Sequence, residues 1–202
     1  GGEEEIDTAD TVSETDYYSI LYTTGTTGKP KGIRYRHRDV VLGSLQLFHH
    51  LALHTTGASI DNNDTIMPMI PFFHIHGWGT VFFGPYLGAK LVLPESAGAQ
   101  QQAQIMQREN VTWINLVPTQ MYMLLEHEEF GNLKALTGGS PLPSGLAANA
   151  RRAGIDYSLI YGGSDQLATA ISVVPEGMDP ESEEALNWLR TGMRPVPMVD
   201  VV

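Results

Sequence analysis

No cysteine occurs in the 202 residues, which rules out disulfides and thiolate metal centres and leaves the redox compartment open. Positive charge is scarce. Twelve Lys and Arg residues stand against 23 Asp and Glu, a net charge of -11, which argues against a general surface for nucleic acid or anionic membrane. No apolar run reaches the length of a membrane span, and the N-terminus is acidic where a signal or transit peptide would be basic. Internal repeats and low-complexity tracts are missing too. These absences point to a soluble protein with the cytoplasm as its default location, and 42% hydrophobic residues suffice for a packed core.

The charge that is present is unevenly placed. Glu3, Glu4, Glu5, Asp7, Asp10, Glu14 and Asp16 precede any cation and show no apolar periodicity, so residues 1–16 read as an acidic, solvated linker or tail and residues 17–202 as the folded core. Five of the 12 basic residues then fall close together: Lys29, Lys31, Arg34, Arg36 and Arg38. A local positive field in an acidic protein suits an anionic ligand. An exposed basic strand edge that discourages aggregation would use the same cations.

Beyond residue 16, short β-branched and apolar runs predict strands at 17–22, 32–35, 64–70, 89–93, 111–116, 133–137, 155–161, 169–174 and 198–202. Helical patterns fall between several of them, at 38–53, 99–109, 118–129, 143–153 and 181–190, the first with Val40, Val41, Leu45, Phe48, Leu51 and Ala52 along one side. Alternation of this kind predicts an α/β fold in which a parallel-rich sheet is flanked by helices.

The stretch YTTGTTGKPKG, residues 22–32, follows the first strand. Gly25 and Gly28 allow positive φ and inward-facing N–H groups. Thr23, Thr24, Thr26 and Thr27 supply hydroxyls, and Lys29 and Lys31 supply charge. Together they make a phosphate cradle. It is not the Walker type, whose first glycine would fall at Thr23 and whose Ser or Thr would stand at Pro30.

This stretch resembles the signature loop of the adenylate-forming superfamily, which includes acyl-CoA synthetases, luciferases and peptide-synthetase adenylation domains, with Thr24 at that family's serine and Lys31 in its Pro-Lys-Gly element. The resemblance implies that Thr23, Thr24, Gly25, Thr26, Thr27, Gly28 and Lys31 close over the β- and γ-phosphates of ATP. Further blocks agree in order. GIRYRHRDVVLGSL (32–45) carries His37 and Arg38 where medium- and long-chain fatty acyl-CoA ligases have a His-Arg pair, and PMIPFFHIHGWG (68–79) resembles their Pro-Met-Phe-His block. By that resemblance His74 lies near the substrate carboxylate and the α-phosphate, and Trp78 and Gly79 border the acyl pocket. Read alone, His74 and His76 would share one face of a strand, as metal ligands or, more simply, as a buried hydrogen-bonded pair. His49 and His50 fall on different sides of a helix as surface and packing residues.

LVPTQMYMLLE (116–126) is similar to the family's Val-Pro-Thr helix start, which proline at the first helical position explains by itself. LKALTGGSPLP (133–143) resembles the segment along adenine and ribose, implicating Gly138, Gly139, Ser140 and Pro141, although a tight turn would use the same glycines. IYGGSDQ (160–166) resembles the Tyr-Gly-x-Thr-Glu motif. Tyr161 would then stack on adenine beside Gly162, Ser164 would meet the α-phosphate, and Asp165 would bind Mg2+, its shorter arm favouring contact through water. LRTGMRPVPMVDVV (189–202) looks like the family's Gly-Arg-Pro-x-Pro segment.

The family's ribose-binding aspartate, hinge arginine and mobile lysine find no counterpart in the chain, nor does the part preceding the signature loop. The expectation is therefore a partial acyl-CoA synthetase-like N-terminal domain. Its parent would be an AMP-forming fatty acid–CoA ligase of lipid metabolism using ATP, Mg2+ and CoA as co-substrate, with His74, Ser164 and Lys31 as catalytic residues. The isolated chain would bind adenine nucleotide weakly and ligate nothing appreciable. An adenylating enzyme for an aryl or amino acid, and a non-catalytic nucleotide-binding module, are the alternatives. Homodimerisation is left open.

Overall fold

The computed structural model describes residues 11–23, 28–94, 98–127, 130–166 and 168–199. Two strands, β1 (Tyr17–Thr23) and β2 (Lys31–Arg36), form an antiparallel hairpin that is a sheet of its own. Helix α1 (His37–Leu53) follows directly. Then come β3 (Thr65–Pro68), a four-residue turn of helix α2 (Ile75–Trp78), α3 (Thr80–Leu87), β4 (Lys90–Leu91), α4 (Ala99–Glu109), β5 (Trp113–Leu116) and α5 (Pro118–Leu125). The described chain closes with β6 (Leu133–Gly138), α6 (Ser144–Arg152), β7 (Ile155–Tyr161), β8 (Ala170–Ile171), α7 (Glu183–Thr191) and β9 (Arg194–Pro195).

The main sheet runs in the order β4-β3-β5-β6-β7-β8-β9, parallel from β4 to β7 and antiparallel for the last two. Period-two alternation sorts its side chains onto two covered faces. Ile66, Trp113, Leu136 and Ile160 point into a core shared with Leu47 and Leu51 of α1, Phe83 of α3 and Leu21 and Tyr35 of the hairpin. Met67, Ile114, Ala135, Ile155 and Leu159 point the other way, against α4, α5, α6 and Leu189 of α7. The α/β fold with a parallel-rich sheet between helices is thus the observed one.

Local signals start the helices as physical chemistry requires. Ser182 accepts a hydrogen bond from Ala185 N at 3.1 Å, and Glu183 and Glu184 stand in the first turn of α7, where the helix dipole favours them. Pro118 opens α5, and the Gln120 side chain accepts from Val117 N at 3.0 Å. At α1, Asp39 accepts from Arg36 N at 3.1 Å and from its guanidinium at 2.8 and 2.9 Å.

Several expectations change. The buried stripe of α1 is Val40, Gly43, Ser44, Leu47 and Leu51, while Val41 and Ala52 face solvent. Ser44 and Leu47 of this stripe sit against Gly79. His50 is buried and His49 exposed, as their spacing on the helix predicts. Helices α2 and α3 were not expected. Their segment has no polar face to give a helical period, and Gly84 and Pro85 lie inside α3. A strand at 198–202 is not found where the chain is described: Val199 N closes a turn on Val196 O at 3.2 Å, with Met198 at φ 63°, and residues 200–202 lie outside the described residues. The end of the acidic stretch is joined to the fold, with Asp16 O and Glu14 O accepting from the first two amides of α1. Among the described residues no helix is long and apolar enough to cross a membrane.

Candidate functional site

Parallel strands present their carboxyl ends on one edge of the sheet, and crevices form there where the chain reverses its direction of strand addition. Here β4 is added on one side of β3, and β5 and its successors on the other. The segments leaving β3, β6 and β7 meet at that edge. They enclose a cavity of about 230 Å³ lined by His74, Ile75, Trp78, Gly139, Ile160 and Gly162 through Ser164. A larger cavity of about 590 Å³ adjoins it, sharing Gly139, Ile160 and Gly162 and adding Gly138, Ser140, Pro141 and Tyr161. Arg190, Thr191 and Met193 close its far side.

Each wall has a local cause. After β3 the chain makes a left-handed turn, with positive φ at Ile75, His76, Gly77, Trp78 and Gly79. Such a run is costly for residues with a Cβ. It is held by Asn115, fully buried at the end of β5, whose Oδ1 accepts from Met69 N at 2.9 Å and Ile70 N at 3.3 Å and whose Nδ2 donates to Gly77 O at 2.6 Å. The turn puts His74 and Trp78 on the cavity, with His74 exposed and Trp78 buried. His76 points inward instead. Its Nε2 shares a hydrogen bond of 2.7 Å with the Ser19 hydroxyl, and burial holds its pKa below the ordinary imidazole value. The two histidines therefore do not share a strand face. Among the described residues no group of three His, Asp or Glu side chains is placed to hold a metal ion.

Gly138 ends β6 opposite Ile160 of β7, where a Cβ would lie 2.4 Å from Ile160 O. Strand pairing alone therefore demands a glycine there. Tyr161 ends β7 with 64% of its surface exposed, a flat ring free to stack on a planar ligand. The Gly162–Gln166 turn is closed by Gln166 N donating to Gly163 O at 3.0 Å. It is tied to the hairpin by the Tyr35 hydroxyl, which donates to Ser164 O at 2.7 Å. Burial first, then the nearby Asp165 and Asp39 charges, push the Tyr35 pKa up to about 12.

Some residues singled out in the sequence do not line either cavity. Gly79 caps α2 and faces Ser44 and Leu47 of α1. Lys31 is exposed opposite Thr23, at the base of the hairpin loop. Thr24, Gly25, Thr26 and Thr27 lie outside the described residues, while Gly28 has φ 95°. Of the basic cluster, Arg34 stacks on the Tyr17 ring at 4.5 Å, Arg36 pairs with Asp39 and Arg38 with Glu14. Three cations of the five are thus engaged by neighbours. Tyr35, Ser19 and Asn115 were missed. Strand alternation puts Ser19 and Tyr35 on the buried face of the hairpin, which is the signal that could have found them.

The AMP-binding enzyme family model matches residues 2–201, and the chain belongs to that family. It is 33% identical to a long-chain-fatty-acid–CoA ligase of Thermus thermophilus over 89% of this chain and 34% of that protein. It is 30% identical to a medium-chain-fatty-acid–CoA ligase of Ectopseudomonas oleovorans over 91% of this chain and 35% of that one. The chain thus spans about a third of the length of these curated relatives. Among solved structures, O-succinylbenzoate coenzyme A synthetase from Bacillus subtilis, in complex with ATP and magnesium ion, matches with a TM-score of 0.68 at 25% identity, over 80% of this chain and 34% of that chain.

Proposed function

We propose that this chain is the nucleotide-binding core of an ATP-dependent, AMP-forming acyl-CoA ligase that activates a fatty acid. One observation carries the reading: two adjoining cavities at the carboxyl ends of β3, β6 and β7 gather His74, Gly139, Tyr161, Gly162 and Ser164, which are far apart in sequence. The larger cavity has the volume and the exposed ring for an adenosine, with Gly138 through Pro141 along one side. The smaller has the two polar side chains for the reacting groups, His74 and Ser164.

A substrate carboxylate oxygen attacks the α-phosphorus of ATP, the bond to the bridging oxygen breaks, and pyrophosphate leaves. The CoA thiolate then attacks the acyl carbonyl, and AMP departs with the bonding electrons. Both steps depend on alignment and on donors aimed at developing negative charge. Ser164 and His74 face the α-phosphate, Trp78 bounds the acyl group with Gly79 behind it, and the resemblance of the 22–32 stretch to the family's signature loop assigns Lys31 to the outer phosphates. Asp165 is an exposed carboxylate next in sequence to Ser164, and would hold Mg2+ brought in with ATP, which would neutralise phosphate charge.

The fatty acid assignment is supported by the names of the two ligases above. An aryl acid is the second reading, because the similar solved synthetase is named for succinylbenzoate. The carboxylate scope of a full-length protein containing this chain separates the two. For the chain itself, calorimetric titration with AMP and with Mg·ATP tests the core of the proposal. Weak binding that is lost on Tyr161→Ala and reduced, though still measurable, on Ser164→Ala is expected, with no release of pyrophosphate. No binding of either nucleotide, or binding indifferent to both substitutions, overturns it.

A further inference from the structure

Tyr35 touches both walls of the smaller cavity without lining it. Its hydroxyl donates to Ser164 O on one wall, and its ring stands edge-on to His76, 5.7 Å between centroids, in the turn that carries His74 and Trp78 on the other. The same hairpin grips that second wall again, since Ser19, the cross-strand partner of Tyr35, bonds His76 at 2.7 Å. Tyr35 is only 6% exposed, whereas the turn it tethers is mostly solvent-facing and contains two successive glycines. Thus the hairpin offers a buried anchor, and the exposed, glycine-containing Gly162–Gln166 turn is attached to it.

We propose that Tyr35 is a positioning residue that fixes the Ser164 turn at a set distance from the His74 turn, so that the Ser164 hydroxyl meets a nucleotide phosphate. This rests on the nucleotide-binding reading given above. A tyrosine suits the task because its hydroxyl stays protonated, and so remains a donor, throughout the pH range in which proteins work. Its ring contact with His76 is independent of that hydroxyl, so phenylalanine deletes the tether and keeps the packing.

The test is a double-mutant cycle on the 202-residue chain with AMP and Mg·ATP as probes. Tyr35→Phe is expected to weaken binding about five- to tenfold, the worth of one buried hydrogen bond. In a Ser164→Ala background the same change is expected to cost no more than about twofold, because the group being positioned is gone. A merely structural role would give equal losses in both backgrounds, and that result overturns the proposal. So does wild-type affinity in Tyr35→Phe. If the wild-type chain binds neither nucleotide, the reading above fails and this inference with it; if the wild type binds and Tyr35→Phe is unaffected, only the inference fails. Amide exchange gives a ligand-free check. Exchange at Gln166, which closes the turn, should speed up in Tyr35→Phe while that in β6 stays the same, and unchanged exchange at Gln166 overturns the tether.

Discussion

The side-chain amide of Asn115 reaches from the end of β5 to the main-chain carbonyl of Gly77 at 2.6 Å, joining the centre of the sheet to the left-handed turn that carries His74 and Trp78. Its oxygen also takes the amides of Met69 and Ile70, both in buried residues. Asn115→Leu would fill similar space but leave those two N–H groups without their acceptor. A loss of about 2–4 kcal/mol is expected from the desolvation of unpaired buried donors. Urea unfolding of the two chains measures it. A difference under about 0.5 kcal/mol would mean that the turn is held by other contacts.

Gly138→Ala should be harmful for steric rather than conformational reasons. The new methyl would meet Ile160 O at 2.4 Å in a pair of central strands, neither of which can withdraw without breaking the ladder. About 2–3 kcal/mol of destabilisation is expected, visible as a lower thermal midpoint. Gly139→Ala has space around it and a φ of +80°, so about 1–2 kcal/mol of backbone strain is the expected cost.

His50 gives the stability a pH dependence. It is 1% exposed, with neither ring nitrogen hydrogen-bonded among the described residues. Burial first, then the His54 and Arg194 charges, press its pKa from 6.5 to about 4. An unfolded chain would protonate this imidazole near its ordinary value while the folded chain would not. Stability attributable to His50 is therefore constant above about pH 6.5, falls as pH drops toward 4 and levels off below, by an amount on the order of 3 kcal/mol. His50→Phe should flatten that part of the urea-midpoint profile between pH 7 and pH 4. An unaltered slope would show that carboxylates, and not this histidine, set it.

Asp64 is 5% exposed and accepts from Lys134 at 2.7 Å, from Thr112 Oγ1 at 2.6 Å and from Asp61 N at 2.9 Å. Lys134→Met removes its counter-ion but leaves the two hydrogen bonds. A loss of about 1–3 kcal/mol is expected, recovered in part by Asp64→Asn in the same chain, since an amide needs no counter-charge. No recovery would assign the loss to the packing of the Lys134 stem.

Sequence alone reveals a particular part of this molecule. Strand β7 declares itself as a short apolar run bounded by turn residues and buried on both faces, and helix α4 by apolar residues such as Ala103 and Met106 that recur at the helical spacing on one buried face. The stretch from Ile75 to Leu87 does not, because its turn is built from backbone angles that sequence marks only by Gly77 and Gly79, and α3 lacks a polar side. At the site, resemblance singles out residues with donors or rings facing the cavities, including His74, Tyr161 and Ser164. It passes over Tyr35 and Asn115, whose influence goes through other residues' main-chain groups. Those contacts cross the sheet or the hairpin, at separations of 129 residues for Tyr35 and 38 for Asn115 with Gly77, so no local pattern encodes them.

The cavity walls come from strands that become neighbours only through crossovers, with β5 between β3 and β6. Recognition here is consequently a property of the assembled sheet and belongs to no contiguous peptide. A molecule bridging His74 and Tyr161 would clamp together chain segments that otherwise meet only in the native state, so filling the crevice and resisting unfolding become one equilibrium seen from two sides.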